Sequence, residues 1–578
     1  LAGMDPLGLI RGNEKKISLL IILAAAIILF YLALTTQVRL VGDGSTYYMQ
    51  MQSIVNDLDI QYQEKDIIRA LDVQFDILPQ NLFLIKTGSG DYFYGKDFSY
   101  ALFASPFYMF LGNNGILLFN ALMIFSMILF GYFHLRKNNG SILSIIVSLL
   151  FFALSVVLIY MFWIHADIYN MFLIMTGMFL WTVYHDKKDI RWLGAASLFL
   201  GLAVVAKAPN AALFIPIISY ELYNRRLKNS AIIVLMALIP VLVFYGYFHM
   251  NAGTLSFYGG DRYNYMTEYP FVNGYDSQNE AGIPYFSISS DKKDIMLNLN
   301  DITIIPYNVF YYLFGKFSGI LWYYPLAVFA MLAFLLSFKE RKDEKVKDDG
   351  KPVVFSCIAL YILMFTTVLG NNYMGGACNI GNRYFYIYPI FLLLIGKVDI
   401  KKIAIFIVLA LITLSPILMH PNKGPDQFAD HIDKFPYRYF PIEYSQLDKL
   451  WIPSYEFNGF DGSIYRLDNN AEYATDGFFI TNTSEMLLVS GSEMNETRLR
   501  LFSYENDNMI KIIVGSKNVS TVLNKYGYDT IAITDIQPEY KDGKYWIYRL
   551  SISSDGKILM IPMTEENIVP GLPAMQAL

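Results

Sequence analysis

Eleven apolar runs, at residues 17–36, 114–134, 142–163, 168–184, 192–206, 209–222, 230–249, 320–338, 353–370, 384–396 and 403–419, dominate the first 419 residues of this 578-residue chain. A bilayer core about 30 Å thick takes roughly 20 apolar residues as a helix, which alone satisfies its own backbone inside a single segment. Hydrophobic residues make up 54% of the chain and charged residues 16%, with a mean hydropathy of +0.36. That is too apolar for a soluble domain. The expected fold class is therefore a polytopic α-helical membrane protein with about eleven transmembrane helices.

The loops sort by charge. Arg11, Lys15 and Lys16, then Arg136 and Lys137, Lys187, Lys188 and Arg191, Arg225, Arg226 and Lys228, the stretch 339–347, and Lys397, Lys401 and Lys402 fall in alternate loops. By the positive-inside rule these loops and the N-terminus are cytoplasmic. Loops 37–113, 164–167, 207–208, 250–319 and 371–383 then face the exterior, as does everything after the last run. No cleavage pattern follows the first run, so it is read as a retained helix. The expected location is the plasma membrane. A net charge of −5 carries no nucleic-acid signature, and two cysteines, Cys357 and Cys378, give no disulfide framework.

Residues 420–578 change character. Runs such as "MLLVSG", "RLRLFSY", "MIKIIVG" and "YWIYRLSIS" alternate polar and apolar positions between Gly, Asn and Asp turns, which predicts a mainly-β soluble domain. The division expected is 1–419 as the membrane domain, with loop 37–113 carrying juxtamembrane helices, and 420–578 as an external domain. Three of four Asn-X-Ser/Thr tripeptides, at Asn482, Asn495 and Asn518, fall in the latter.

Charged residues gather at the outward ends. "GDGSTYYMQMQSI" places Asp43, Tyr47 and Tyr48 after the first run, "FWIHADIYN" places His165 and Asp167 after the third, and "VVAKAPN" and "GGACNIGNRYFYIYP" supply Lys207, Arg383 and Tyr384. Each alone suits an interfacial or snorkelling side chain. Together they suggest one polar site, because ionisable groups at membrane depth are costly unless they share a polar cavity. Lys207 and Arg383 also break the inward bias of the basic clusters. Arg262, in "YGGDRYNY", lies in a long external loop and is a candidate phosphate contact, with Asp261 or Glu268 as its alternative partners. "YGKDFSYALFASPFYMFLG" reads as an interfacial amphipathic segment fit to cradle a lipid-linked substrate.

These motifs, in this order and on one side, resemble the GT-C superfamily of polyprenyl-phosphate-sugar glycosyltransferases, which includes the protein O-mannosyltransferases and the lipid A aminoarabinose transferases. The resemblance covers roughly residues 17–419. It implies an inverting transferase acting on a polyprenyl phosphate sugar, dolichyl or undecaprenyl, with a lipid, glycan or protein acceptor on the external or lumenal side. Asp43 would be the general base, Asp167 would orient the acceptor or hold a cation, and Lys207, Arg383 and Arg262 would meet the donor phosphate. His165, Tyr47, Tyr48 and Tyr384 are candidate substrate or cation contacts. Family members often carry Asp-Glu at the first motif, where this chain has Asp43-Gly44. His165 with Asp167 falls short of a usual metal site, so no metal cofactor is expected, though the carboxylates leave room for a loosely held Mg²⁺ or Mn²⁺. A lipid-linked glycan ligase or polymerase would use the same face. A secondary transporter, the rival from another class, would show repeated halves and midplane charges.

Overall fold

In the computed structural model, the described residues are 6–38, 40, 43–72, 82–255, 257, 261–265, 269–271, 283–284, 303–340, 350–375, 380–423, 431–432, 434–449, 454–456, 462–467, 470–474, 477–541 and 545–563. Asp261 lies in a strand without a described side chain, and Glu268 and Cys378 fall outside this set. The chain divides into two compact units, residues 1–299 with 308–441, and residues 300–307 with 442–578. The division after Pro441 lies beyond the change of composition at 419.

Helices occupy most of the apolar runs and parts of the loops between them. They begin with α1 (Pro6–Thr35), α2 (Gly44–Asp57), α3 (Glu64–Asp72), α4 (Ser99–Leu111) and α5 (Asn113–Leu135). Next come α6 (Ser141–Ala153), the single turn α7 (Val157–Tyr160), α8 (Asp167–Lys187), α9 (Ile190–Ala206), α10 (Phe214–Tyr223) and α11 (Leu227–Ala252). The last are α12 (Ile304–Phe314), whose first four residues are assigned to the second unit, α13 (Ile320–Tyr323), α14 (Pro325–Glu340), α15 (Lys351–Thr367) and α16 (Ile400–Leu418). Among the described residues, four helices, α1 from Asn13, α5, α11 and α16, are long and apolar enough to cross a membrane. The exposed Leu, Ile and Val side chains of α1, α11 and α16 need an apolar surrounding. The chain is an integral membrane protein.

Several predicted runs are built differently from single helices, for local reasons. The run at 142–163 breaks after Ala153, where the Ser155 hydroxyl donates to the Phe152 carbonyl and accepts from the Val157 amide, competing with the helix ladder. At 320–338 the break falls at Tyr324, φ −140°, because the following Pro325 bars the helical region there. The run at 384–396 forms only 3₁₀ turns over Tyr388–Leu394, with Pro389 at their start and all seven residues buried. Backbone of this kind survives at membrane depth only when protein covers it.

The loops gather at two ends of the unit. At one end Glu14 accepts from the Ile142 amide, Lys137 pairs with Asp186, and Asn139 donates to the Gly396 carbonyl. At the other, strands from loops far apart in sequence share one sheet. Its members are β1 (Gln61–Tyr62), β2 (Leu82–Lys86), β3 (Tyr92–Tyr94), β4 (Asp261–Tyr265) and β5 (Ile283–Pro284), in the order β1-β3-β2-β4-β5. Loop 37–113 thus contributes three strands besides its helices, and residues 261–265 add a fourth beside them.

The second unit is a two-sheet sandwich. Its strands are β6 (Ser454–Glu456), β7 (Gly462–Arg466), β8 (Ala471–Ala474), β9 (Gly477–Ile480), β10 (Ser484–Ser490) and β11 (Glu496–Ser503), then β12 (Asn508–Val514), β13 (Lys517–Leu523), β14 (Tyr528–Thr534), β15 (Tyr540–Lys541), β16 (Trp546–Ser554) and β17 (Ile558–Met563). One sheet runs β13-β12-β16-β10-β7-β6 with β15 on β16, the other β14-β11-β17-β9-β8. Period-two alternation sends Leu499 and Leu501 of β11 inward against Ile510, Ile512 and Leu550 of the facing sheet. The mainly-β expectation for this region agrees with the observed strands.

Candidate active site

Asp43 stands at the N-terminal cap of α2. Its carbonyl accepts from the Thr46 and Tyr47 amides at 3.1 and 3.4 Å, while its carboxylate takes no part in capping. The side chain is thus left for longer-range partners. Three of them converge on one oxygen, Oδ2: Lys96 Nζ at 2.6 Å, His165 Nε2 at 3.1 Å and Arg383 Nη2 at 3.3 Å. Among the described residues no hydrogen bond to Oδ1 is formed. Gly44 follows because a Cβ there would meet the Ile164 carbonyl oxygen at 3.1 Å. The start of α2 is packed against the backbone that carries His165, which is why a Glu side chain has little space at this position.

Asp167 opens α8, so both carboxylates sit at helix N-termini, where the helix dipole favours negative charge. His165 lies between them, with Nδ1 3.0 Å from Asp167 Oδ2. Arg383 Nε lies 3.4 Å from the same Asp167 oxygen, and Tyr386 donates to Asp167 Oδ1 at 2.8 Å. Arg383 therefore spans both acids, and its guanidinium carbon stands 5.3 Å from the Trp163 ring centre and 5.5 Å from that of Tyr384. Its loop is pinned: Arg383 N donates to the Met374 carbonyl, Tyr324 to that of Asn382 and Tyr160 to that of Ile380. Gly381 holds φ +73° with the Tyr323 side chain 2.9 Å from where a Cβ would be, so a larger residue is excluded on both counts.

Around this pair lie further cations. Lys207, the C-cap of α9, places Nζ 5.4 Å from the Tyr384 ring centre. Arg262 of β4 and Lys96 each stack 4.5 Å from the centre of the Phe83 ring. Burial pushes the Lys96 amine down to about 7, with Asp43 opposing and Arg262 and Lys207 adding to the fall. Burial alone would raise the Asp43 carboxyl, but Lys96, the His165 hydrogen bond and Arg383 outweigh it and hold it well below the usual carboxylate range. Burial also pushes Asp97 up to about 6, against hydrogen bonds from Ser99.

The structure thus brings Asp43, His165, Asp167 and Arg383 into direct contact, with Tyr384 and Lys207 beside them. Tyr47 packs its ring 5.1 Å from that of His165. Tyr48 joins another group, donating to Asn113 Oδ1 and accepting from Gln52. Asp43 is mostly enclosed, with 15% of its side chain exposed. Sequence reasoning missed Lys96, Trp163 and Tyr386. Lys96 carried the same signal as Lys207 and Arg383, a basic residue in an outward loop, but sat in a stretch read for its amphipathicity.

Among the described residues no group of three His, Cys, Asp or Glu side chains is disposed to hold a metal ion. No family model matches the chain, and no curated protein matches it. The chain is similar to the crystal structure of ArnT from Cupriavidus metallidurans bound to undecaprenyl phosphate, with 12% sequence identity and a TM-score of 0.39, over 70% of this chain and 62% of that one. The match thus spans less than two thirds of that neighbour's length.

Proposed function

We propose that the chain is a membrane glycosyltransferase that moves a sugar from a polyprenyl phosphate donor to an acceptor on the external or lumenal side. One observation carries the reading: Lys96 and Arg383 converge on a single oxygen of Asp43, whose other oxygen has no partner among the described residues. Lys96 and Arg383, which touch Asp43, and Lys207 and Arg262 near them bring four cations together around Asp43 and Asp167, which suits an anionic ligand.

In this reading Asp43 Oδ1 accepts the proton of the acceptor hydroxyl as its oxygen attacks the anomeric carbon. The bond from that carbon to the phosphate oxygen breaks, and the electron pair leaves with the polyprenyl phosphate. Arg383, Lys207 and Lys96 meet the charge that develops there. Attack opposite the leaving group inverts the anomeric centre. A carboxylate clamped by two cations is a weak base, so an arriving phosphate that draws Lys96 and Arg383 toward itself would also raise the basicity of Asp43. Asp167, held by Tyr386 and Arg383, fixes the arginine. The direct test is transfer of sugar from a synthetic polyprenyl phosphate donor by the purified chain. Absence of transfer across a panel of donor sugars and acceptors, with donor lipid unbound, would remove the reading.

A pH limb follows from Lys96. Phosphate prefers the ammonium form, which is lost as pH rises through about 7. Donor affinity is therefore expected to fall above neutrality, by up to about tenfold per pH unit. In Lys96→Arg, whose charge persists, the fall should disappear. An identical pH profile in both proteins would show that Lys96 does not face the phosphate.

Orientation belongs to the same reading, with the N-terminus cytoplasmic and residues 442–578 outside the plasma membrane. A cysteine at position 470, an exposed site, is expected to react with an impermeant reagent on intact cells. Labelling only after permeabilisation would reverse the orientation.

A further inference from the structure

The β14-β11-β17-β9-β8 sheet carries a row of rings on the face turned away from the sandwich core. Register pairs Phe479 with Leu559, Leu559 with Phe502, and Phe502 with Tyr528, so four adjacent strands set these side chains in line. Their neighbours Phe478 and Leu501 point into the core, which fixes the outward direction of Phe479 and Phe502. Tyr504 lies 5.1 Å from Phe502 and 5.9 Å from Phe479, and Tyr526 lies 6.4 Å from Phe502. Tyr526 and Tyr528 are 65% and 70% exposed. Tyr526 also holds φ +63°, a conformation uncommon for a bulky residue, kept by backbone hydrogen bonds that tie Tyr526 and Gly527 to Ser503.

The row is flanked by cations, while the exposed Glu472 of β8 stands in register beside Phe479 at its far end. Lys557 Nζ stands 4.4 Å from the Phe479 ring centre, Lys525 Nζ stands 5.2 Å from that of Tyr526, and Arg500 donates to Thr530 Oγ1 on the same face. Among the described residues none of the three is paired with a carboxylate. Glu505 sits at the rim with Oε1 accepting the Lys557 amide, and Asn506 accepts the Lys525 amide. Exposed rings offer flat apolar faces, and lysine and arginine offer charge and hydrogen bonds.

We propose that this strip binds an acidic polysaccharide, with pyranose rings lying on the aromatic side chains and sugar carboxylates meeting Arg500, Lys525 and Lys557. An anionic bilayer surface is less suited, since Glu505 and Asn506 would be pressed against lipid beside the rings. The inference concerns the second unit alone and stands or falls without the transfer reaction.

The test is fluorescence anisotropy of a labelled oligogalacturonate with the full chain in detergent, against a neutral oligoglucan and against vesicles of anionic phospholipid. Binding of the oligogalacturonate is expected, weakened by salt, and weakened roughly tenfold in each of Tyr528→Ala and Lys557→Ala. Both side chains are exposed, so these variants should retain the wild-type thermal transition. No binding, equal binding of the neutral oligomer, binding to vesicles only, or unchanged affinity in both variants would overturn the proposal.

Discussion

Asp43→Asn is expected to lower single-turnover sugar transfer by roughly 100- to 10,000-fold, the loss typical of removing a general base. Asparagine fits the space but cannot take the acceptor proton. The fold is expected to survive for a reason that lies in the neighbours. Asp43 is the group that opposes the fall of the Lys96 amine. Without it Lys96 gives up its proton near neutral pH, and no stranded buried ammonium remains. Arg383 keeps Asp167 as a partner at 3.4 Å. Circular dichroism and thermal unfolding should therefore place the variant close to wild type at pH 8, with a larger deficit at pH 6, where the folded variant refuses at Lys96 a proton that the unfolded chain binds. Wild-type transfer in a folded Asp43→Asn protein would move the base to another residue and undo the mechanistic reading.

The case of Asp43 also shows how far the sequence reaches. Its position just past an apolar run marked it as outward and unusual, and the alternation of basic loops placed it at the same end as Asp167, Lys207 and Arg383. Those inferences depend on membrane thickness and on charge sorting, which act on every loop alike. Burial of Asp43 depends on Lys96, 53 positions away, and on His165 and Arg383. No local periodicity encodes such meetings. The apolar runs likewise gave the positions of α5, α8, α9 and α11 to within a few residues, yet not the 3₁₀ turns at Tyr388–Leu394. That segment is apolar because protein surrounds it, and hydropathy cannot tell lipid from a packed interior. The sheet that joins residues 82–86 to 261–265 was invisible for another reason. Its strands are two to five residues long, too short for an alternating pattern to emerge.

Arg383→Ala is expected to cost both stability and catalysis, and the two losses can be separated. The guanidinium lies between Asp43 Oδ2 at 3.3 Å and Asp167 Oδ2 at 3.4 Å, with Asp167 almost wholly enclosed. Removing one partner of a buried pair leaves the other charge uncompensated, which typically costs about 3–5 kcal/mol, and a lowered unfolding temperature should report it. Losing a donor aimed at developing charge should lower turnover by a further ~100- to 1,000-fold. Arg383→Lys keeps one positive charge, but an ammonium has no planar fork with which to span two carboxylates, so it should recover part of the stability and little of the turnover. The double variant Asp167→Asn/Arg383→Ala removes the stranded charge as well. Its unfolding temperature should rise above that of Arg383→Ala alone, while transfer stays at the level of the single variant, because neutralising Asp167 restores no cation to the phosphate. If the double variant is as unstable as the single one, the pairing of Arg383 with Asp167 is not what holds this loop. If it recovers transfer as well as stability, Arg383 serves the fold alone, and the phosphate must be met by Lys207 and Lys96 without it.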